Sequence, residues 1–591
     1  MPLVSLRSLK FTYPGSAAPA LDSVSLDIEP GDYLAVVGAN GSGKSTLARC
    51  INGLLTPPPG AVLVDGMDPS DGSRLRDVRR TVSLVFQSPP DQIVASVVEE
   101  DVAFGLENLG LPREEMRVRV GEALEALGLS AERTRPPRFL SAGQQQRLAI
   151  AGALVMRPRC IVFDEATAML DPVGRSDVLD RIDELVAAGM AVVHVTHDMA
   201  EAARARRVAV LAAGRIVFDG TAEDLFGASA LPGAGLPDAG LAMPPACVAA
   251  RAFGLRPIPG ESAADLAARI IGDSELTPMT SAVATPSGTP PVDAALAGNV
   301  AVADEAGPVF VVEAASFSFL KGTANERRAV DGVSLSVRPG EMLAVVGVTG
   351  SGKSTLLQLM DALLVPSRGS VRSFGMDTAD PKVDPRAVRM RAPLAMQRPE
   401  TAIFEFYAGD EAAFGPRNQG LSGPALVARV RAAMDSVGIP YDLFRDRRAR
   451  AMSGGEKRRL ALASILSMDP EALLFDEPTS SLDAPTKAAV MGLLRSAAAG
   501  GRTVVFATHS MEEAAMADRV AVMSGGRLVA CDTPASVFGS GWDDGWGLSR
   551  PFGAVLADEL RGRGAAVPGG IVDLETLLAA FRRAPVVEAL A

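Results

Sequence analysis

The chain has 591 residues, too many for a single hydrophobic core, so several domains are expected. It is 48% hydrophobic and 22% charged, within the globular range, and its net charge of −12 argues against broad nucleic-acid binding. No apolar run approaches the ~18 residues of a membrane-spanning helix, and no secretory signal precedes the first strand-like pattern, so the sequence reads as a soluble, cytoplasmic chain.

Residues 3–13 alternate like a half-buried strand and end at Tyr13-Pro14-Gly15; residues 21–28 alternate again. Tyr13 is a candidate to stack on an adenine ring, although a lone Tyr there is more often an ordinary strand aromatic. The apolar run 33–37 reads as a buried strand. It leads into Gly38-Ala39-Asn40-Gly41-Ser42-Gly43-Lys44-Ser45-Thr46, and a helical pattern follows. Strand, Gly-rich turn and helix are what a phosphate-binding loop requires. The glycines let backbone N–H groups turn inward onto phosphate oxygens, and the helix N-terminus adds partial positive charge. Lys44 is expected to reach the β- and γ-phosphates and Ser45 to ligate Mg²⁺.

A strand over 81–86 runs into Gln87, which at that position suits a Mg²⁺ ligand or a holder of water. Residues 97–108 and 113–127 have helical spacing. Leu140-Ser141-Ala142-Gly143-Gln144 then opens a helix over 145–156, making Ser141 either a plain N-cap or part of a second anion site. The apolar strand 160–164 ends in two acids, the Walker B pattern: Asp164 is expected to support Mg²⁺ and Glu165 to polarise the attacking water. A further buried strand contains His194, read as a core residue, and ends at His197, placed to meet a γ-phosphate. The four cysteines are scattered without metal-ligand spacing.

The pattern then repeats. Gly347-Val348-Thr349-Gly350-Ser351-Gly352-Lys353-Ser354-Thr355 follows an apolar run, with Phe317-Ser318-Phe319 upstream at nearly the distance of Tyr13 in the first copy. Gln397, Ser453, Gly455, Asp476, Glu477 and His509 follow in the same order. The two loop lysines lie 309 positions apart, and the signature serines, Walker B aspartates and histidines each 312 apart. Such steady offsets mean tandem duplication of a whole domain. The expected organisation is a first nucleotide-binding domain over 1–226, an extension and linker over 227–308, a second domain over 309–540 and a short extension over 541–591. The Ala/Pro/Gly-rich middle predicts short helices near 245–272 and a flexible linker near 274–306, and the tail predicts a helix over 574–583.

Each half resembles an ATP-binding-cassette (ABC) ATPase domain, with P-loop, Gln loop, the signature at 140–144 or 452–456, Walker B, an Asp171 or Asp483 loop and a switch histidine in order. The resemblance implies two tandem α/β P-loop NTPase domains, each with an α/β core, an antiparallel β subdomain and a helical subdomain. The segments 86–94 with 101–108, and 397–400 with 403–405 and 413–418, resemble the two ATPase subunits of energy-coupling factor (ECF) importers of the cobalt and vitamin type, here fused. That resemblance implies ATP and Mg²⁺ as ligands, with Ser45, Gln87 and Asp164, or Ser354, Gln397 and Asp476, at the metal. It also implies an integral membrane scaffold and a small substrate-binding membrane subunit as partners, at the cytoplasmic face of the membrane. The two cassettes are expected to pair as a pseudo-heterodimer, with the first P-loop sharing its ATP with Ser453 and Gly455 and the second with Ser141 and Gly143. Because Glu165, Glu477, His197 and His509 are all present, both sites are expected to hydrolyse ATP. Three departures stand out: Ala142 where Gly is usual, Glu456 where Gln is usual, and the sequence 406–409. Glu456 is expected to set a negative charge near a nucleotide. A translation-factor type of tandem cassette is disfavoured, because residues 227–308 hold three Arg, no Lys and eight acids. Service to another class of ABC transporter is the remaining alternative.

Overall fold

The computed structural model describes the chain except for residues 17, 168–169, 171, 228–240, 273–275, 279–306, 324–325, 397–402, 481 and 584–591. The chain divides into two compact units, one built on Met1–Ser262 and the other on Ala263–Leu482 with Thr486–Ala591.

The first unit centres on a six-stranded sheet in the order Val82–Val85, Cys160–Asp164, Ala191–Val195, Tyr33–Val37, Arg207–Ala212, Arg215–Gly220. All neighbours are parallel except the last pair, which forms an antiparallel hairpin. The central strands are apolar throughout because both faces are covered, as in other parallel sheets. Strand periodicity sends alternate residues to opposite cores. Tyr33, Ala35 and Val37 join the cluster shared with the helices, whereas Leu34 and Val36 join the one beneath the antiparallel sheet. That second sheet has three strands, Leu21–Ile28, Val4–Phe11 and Val62–Val64. The helices Val98–Leu109, Arg113–Ala126 and Ala142–Leu154 pack on one another as a helical subdomain.

The second unit repeats the plan. Its six-stranded sheet places Met342–Val346 between Thr503–Thr508 and Arg519–Ser524, with Ala472–Asp476 next outward. Met342, Ala344 and Val346 face one core and Leu343 and Val345 the other. A four-stranded antiparallel sheet is led by Phe310–Phe319 and Arg327–Val337.

The middle of the chain forms the helices Pro245–Ala252 and Ala263–Gly272. The second of these belongs to the second unit. Leu266, Ala267 and Ile270 are buried on its face toward the helix Phe552–Gly562, which buries Leu556, Ala557 and Leu560. Leu276–Pro278 then pairs antiparallel with Phe581–Arg583. The helix expected over 574–583 therefore stops at Ala579, and its last residues become a strand because they find a partner that the sequence pattern does not announce. The expected linker over 274–306 lies outside the described residues apart from that short strand.

Candidate functional site

Each phosphate-binding loop sits between the central strand of its sheet and the helix that follows. In the first unit Gly43 caps the helix Lys44–Ile51 with φ 106°, a left-handed conformation open to glycine at low cost. A Cβ there would fall 2.4 Å from the Ala20 carbonyl oxygen; at Gly352, with φ 105°, it would fall 2.2 Å from that of Ala329. Two independent constraints, conformation and space, therefore demand glycine. The loop backbone of Gly38 to Ser42 and of Gly347 to Ser351 curls around a buried lysine. Lys44 Nζ donates to the Gly38 and Ala39 carbonyls at 2.8 and 2.9 Å. Lys353 Nζ donates to those of Gly347 and Val348 at 2.7 and 3.2 Å. Burial lowers the Lys44 pKa, and the nearby carboxylates, Glu165 foremost, oppose that shift. The buried hydroxyls Ser42 Oγ and Ser351 Oγ have no hydrogen-bond partner.

Ser45 Oγ donates to Asp164 Oδ1 at 2.8 Å, joining the first turn of the helix to the end of the Walker B strand. Ser354 makes the corresponding bond to Asp476. Burial raises both aspartate pKa values, and the serine bonds work against it. Each pair offers one hydroxyl and one carboxylate, hard oxygens that suit Mg²⁺ with the remaining positions left to phosphate and water. Among the described residues no group of three acids, histidines or cysteines forms a self-sufficient metal site.

Glu165 and Glu477 follow those aspartates with φ 50° and 55°, uncommon for residues other than glycine. Strain of this kind persists only where surrounding structure enforces it. Here the Glu165 N–H donates to the Val195 carbonyl at 2.9 Å and the Glu477 N–H to that of Ala507 at 3.0 Å. The turn aims each carboxylate at the loop lysine and the switch histidine. Glu165 Oε1 lies 3.9 Å from Lys44 Nζ and 3.7 Å from His197 Nδ1. In the second unit Glu477 Oε1 and His509 Nε2 are 3.1 Å apart. Burial raises the Glu477 pKa against the pull of Lys353.

Gln87 reaches the same cluster: its Nε2 donates to Glu165 Oε2 at 2.8 Å. The structure thus brings Gln87 to the glutamate, and Ser45 to the aspartate. Gln397 and Asp171 lie outside the described residues. The Tyr13 hydroxyl is 3.1 Å from Thr46 Oγ1, and the half-exposed ring packs edge-on against Phe11. Phe319 stands likewise edge-on to Phe317 and lines a cleft of about 200 Å³ over the second loop, together with Lys353, Ser354 and Thr355. Asn40 and Thr349 lie on their loops between strand and helix.

The signature helices are capped by matching devices. Gln144 N donates to Ser141 Oγ at 3.3 Å and Ser141 N to Gln144 Oε1 at 2.9 Å; Ser453 and Glu456 repeat this at 3.3 and 2.8 Å. Gly143 and Gly455 occupy the first turn. At the position where a negative charge is expected near a nucleotide, Glu456 is engaged locally. Its carboxylate is folded back onto its own helix terminus, where Arg447 Nη1 binds it at 3.1 Å. Burial alone would raise its pKa, yet the Ser453 N–H and Arg447 hold it below the usual carboxylate range. In the first unit the charges are rearranged: neutral Gln144 donates to Glu132 at 3.4 Å.

Sequence reading missed one pair of residues. Glu201 Oε2 accepts from Thr167 Oγ1 at 2.9 Å and from Thr196 Oγ1 at 2.8 Å. Glu513 accepts from Thr479 and, at 2.7 Å, from Thr508. Each buried carboxylate therefore ties the segment after the Walker B glutamate to the segment before the switch histidine. A Thr two positions after each Walker B glutamate and an acid four positions after each switch histidine is the signal by which the sequence could have shown it. His194, expected in the core, is fully buried and lies 3.5 Å from both Tyr33 Oη and Glu201 Oε2.

Both halves of the chain resemble known proteins. The family model "ABC transporter" matches residues 21–168 and 330–480. An ABC transporter ATP-binding protein of Bifidobacterium longum is 36% identical over 561 residues, covering 91% of this chain and 68% of that protein. One of Methanosarcina mazei is 31% identical over 601 residues, covering 99% and 98%. The energy-coupling factor transporter ATP-binding protein EcfA1 of Symbiobacterium thermophilum is 57% identical over 214 residues, covering 36% of this chain and 75% of that protein. A solved structure of cbiO1 from Clostridium perfringens, part of the ABC transporter complex cbiONQ, is 34% identical, covering 38% of this chain and 90% of that one with a TM-score of 0.36. With two complete phosphate-binding loops, two Walker B carboxylate pairs and both halves matched, the chain belongs to the ABC transporter family as a tandem ATP-binding subunit that hydrolyses ATP.

Proposed function

We propose that this chain powers an ECF-type importer that takes up a vitamin or a transition-metal ion. The observation that carries the reading is the 57% identity to an energy-coupling factor ATPase over 214 residues. A groove supports it. In the first unit a cavity of about 650 Å³ is lined by Leu54, Leu75, Phe86, Val94 and Phe104, beside the Gln87 loop. Val94 is 62% exposed and Phe104 48%, a cost that a docked apolar helix would remove. In the second unit Phe404, Phe406, Tyr407 and Phe414 are similarly exposed. The unusual residues at 406–409 form an aromatic pair, Phe406 edge-on to Tyr407 with Arg448 over the Phe406 ring, so this unit presents its own docking chemistry. The partner proposed is a cytoplasmic helix of an integral membrane scaffold, completed by a small substrate-binding membrane subunit; the chain then sits peripherally on the membrane. Among the described residues no helix is long and apolar enough to cross it.

In this mechanism Lys44 and Lys353 hold the phosphates of ATP, and Tyr13 and Phe319 support its adenine. Ser45 with Asp164 and Gln87, and Ser354 with Asp476 and Gln397, would hold Mg²⁺, which supplies charge neutralisation when bound. Glu165 and Glu477 orient and polarise the attacking water. His197 and His509 bind the γ-phosphate. Gln87 conveys the state of the groove to Glu165, and Gln397 is assigned the same role in the second unit. Ser141 and Gly143, and Ser453 and Gly455, complete each other's sites when the cassettes pair.

The test is a gentle-detergent pull-down of the tagged chain from its own membranes with mass-spectrometric identification. A polytopic scaffold with a small membrane protein is the expected result. Recovery with membrane subunits of another importer or exporter type would replace the ECF assignment; recovery with ribosomes would overturn the transport reading.

A further inference from the structure

We infer that Arg327 is an additional phosphate-binding residue of the second nucleotide site, with no counterpart in the first. This rests on the reading that the second P-loop seats a nucleotide.

Arg327 opens the strand Arg327–Val337 and is paired in register with Phe319, directly across the antiparallel ladder. Its guanidinium lies over the phosphate loop: a Cβ added at Gly350 would fall 2.6 Å from Arg327 Nη2. The equivalent addition at Gly41 meets nothing within 4 Å. Arg327 lines the same cleft as Phe319, Gly350, Lys353, Ser354 and Thr355. Two cations, Arg327 and Lys353, thus flank one anion-seeking loop.

The neighbouring arginine behaves differently. Arg328 is committed to Asp331 at 3.1 Å, a carboxylate that Arg527 also binds at 2.9 Å. Among the described residues no acid pairs with Arg327, so its charge is available to a ligand. A guanidinium offers parallel N–H donors that match two phosphate oxygens, and a charge-assisted pair is stronger than a neutral hydrogen bond.

The first unit lacks this group. Ala20 and Ala329 occupy matching places, each with its carbonyl against the glycine that caps the P-loop helix. Two positions before them stand Ala18 and Arg327. The first unit instead has the Tyr13 hydroxyl on Thr46, which Phe319 cannot reproduce. The two sites therefore grip nucleotide with different side chains, one with a tyrosine hydroxyl at its mouth and the other with a guanidinium.

The test uses the full chain carrying Lys44→Ala to silence the first site, and titrates a fluorescent ATP analogue in competition with inorganic tripolyphosphate or adenosine. Arg327→Ala is expected to weaken ATP and tripolyphosphate by about tenfold or more and leave adenosine unchanged, and Arg327→Lys to lie between. Unfolding midpoints without nucleotide should be unaltered. Affinities within twofold of the parent, with Lys353→Ala abolishing binding, would overturn the role of Arg327 while preserving the site. Loss for adenosine as large as for tripolyphosphate would overturn the phosphate assignment. Binding that survives Lys353→Ala would overturn the underlying reading of the second loop.

Discussion

Gln87 Nε2 donates to Glu165 Oε2 at 2.8 Å, so the loop flanking the apolar groove is bonded to the carboxylate beside the phosphate site. Phe86, the preceding residue, lines the groove, and its N–H is held by Gln92 Oε1 at 2.9 Å. A segment pressed into the groove would move Gln87 and Glu165 together. Gln87→Ala is expected to leave ATP affinity within about threefold while lowering kcat by roughly tenfold, about 1.4 kcal/mol in barrier. Parallel ATP-binding and steady-state ATPase assays decide it; unchanged kcat would dismiss the link.

Replacing both Glu165 and Glu477 by Gln keeps the shape of each site and removes the carboxylates facing the switch histidines. Turnover is expected to fall by at least about 100-fold with ATP retained. The check is ATPase activity alongside nucleotide recovered after rapid desalting. Substantial turnover in the double variant counts against the assigned role.

In their bonds to threonine, the Thr-bridging acids touch neither loop lysine nor switch histidine. Glu513→Ala leaves the hydroxyls of Thr479 and Thr508 without their buried acceptor. A stability loss of about 1–3 kcal/mol is expected. If Glu513 positions Glu477 and His509, kcat falls while ATP affinity holds, and Glu513→Gln recovers part of the rate. A purely structural residue would change the unfolding midpoint alone.

Asp361 is 4% exposed and its Oδ1 has no hydrogen-bond partner. Asn52 fills the corresponding position in the first unit and donates to the Val82 carbonyl at 2.5 Å. Burial pushes the Asp361 pKa from 3.8 to about 7, with Arg389 pulling the other way. An acid whose pKa is raised on folding destabilises the fold progressively as pH rises from about 4 to about 7, and fully above that. The shift corresponds to about 4 kcal/mol. Asp361→Asn is therefore expected to stabilise the second unit at pH 8 and to have little effect near pH 4. Denaturant unfolding of both proteins at the two pH values tests this; equal stability at pH 8 would refute the buried charge.

Glu456→Gln retains an acceptor for the Ser453 N–H and loses only the ion pair with Arg447, whose side chain is about half exposed. A stability change within about 1 kcal/mol is expected, with nucleotide affinity of either site unchanged. A marked gain in affinity would restore the view that this charge opposes phosphate.

The sequence by itself determined the duplication, the sheet cores and which residues stand as candidates for the site. Glycine spacing, the lysine and the paired acids are local patterns, each read within a few residues, and apolar runs such as Tyr33–Val37 announce strands covered on both faces. Signature serines announce their caps in the same way. Contacts between distant segments were decided only by the tertiary structure. The sequence places a negative charge at Glu456, but only the fold shows that Arg447 and the Ser453 N–H bind that carboxylate. The helix expected through residue 583 yields to a strand because Leu276–Pro278 lies beside it, some 300 residues earlier in the chain. Arg327 was one exposed arginine among many until a β ladder set it over Gly350. Side-chain charge and hydrogen-bonding capacity are written in the residue type, but what they meet depends on chain segments that only folding brings together.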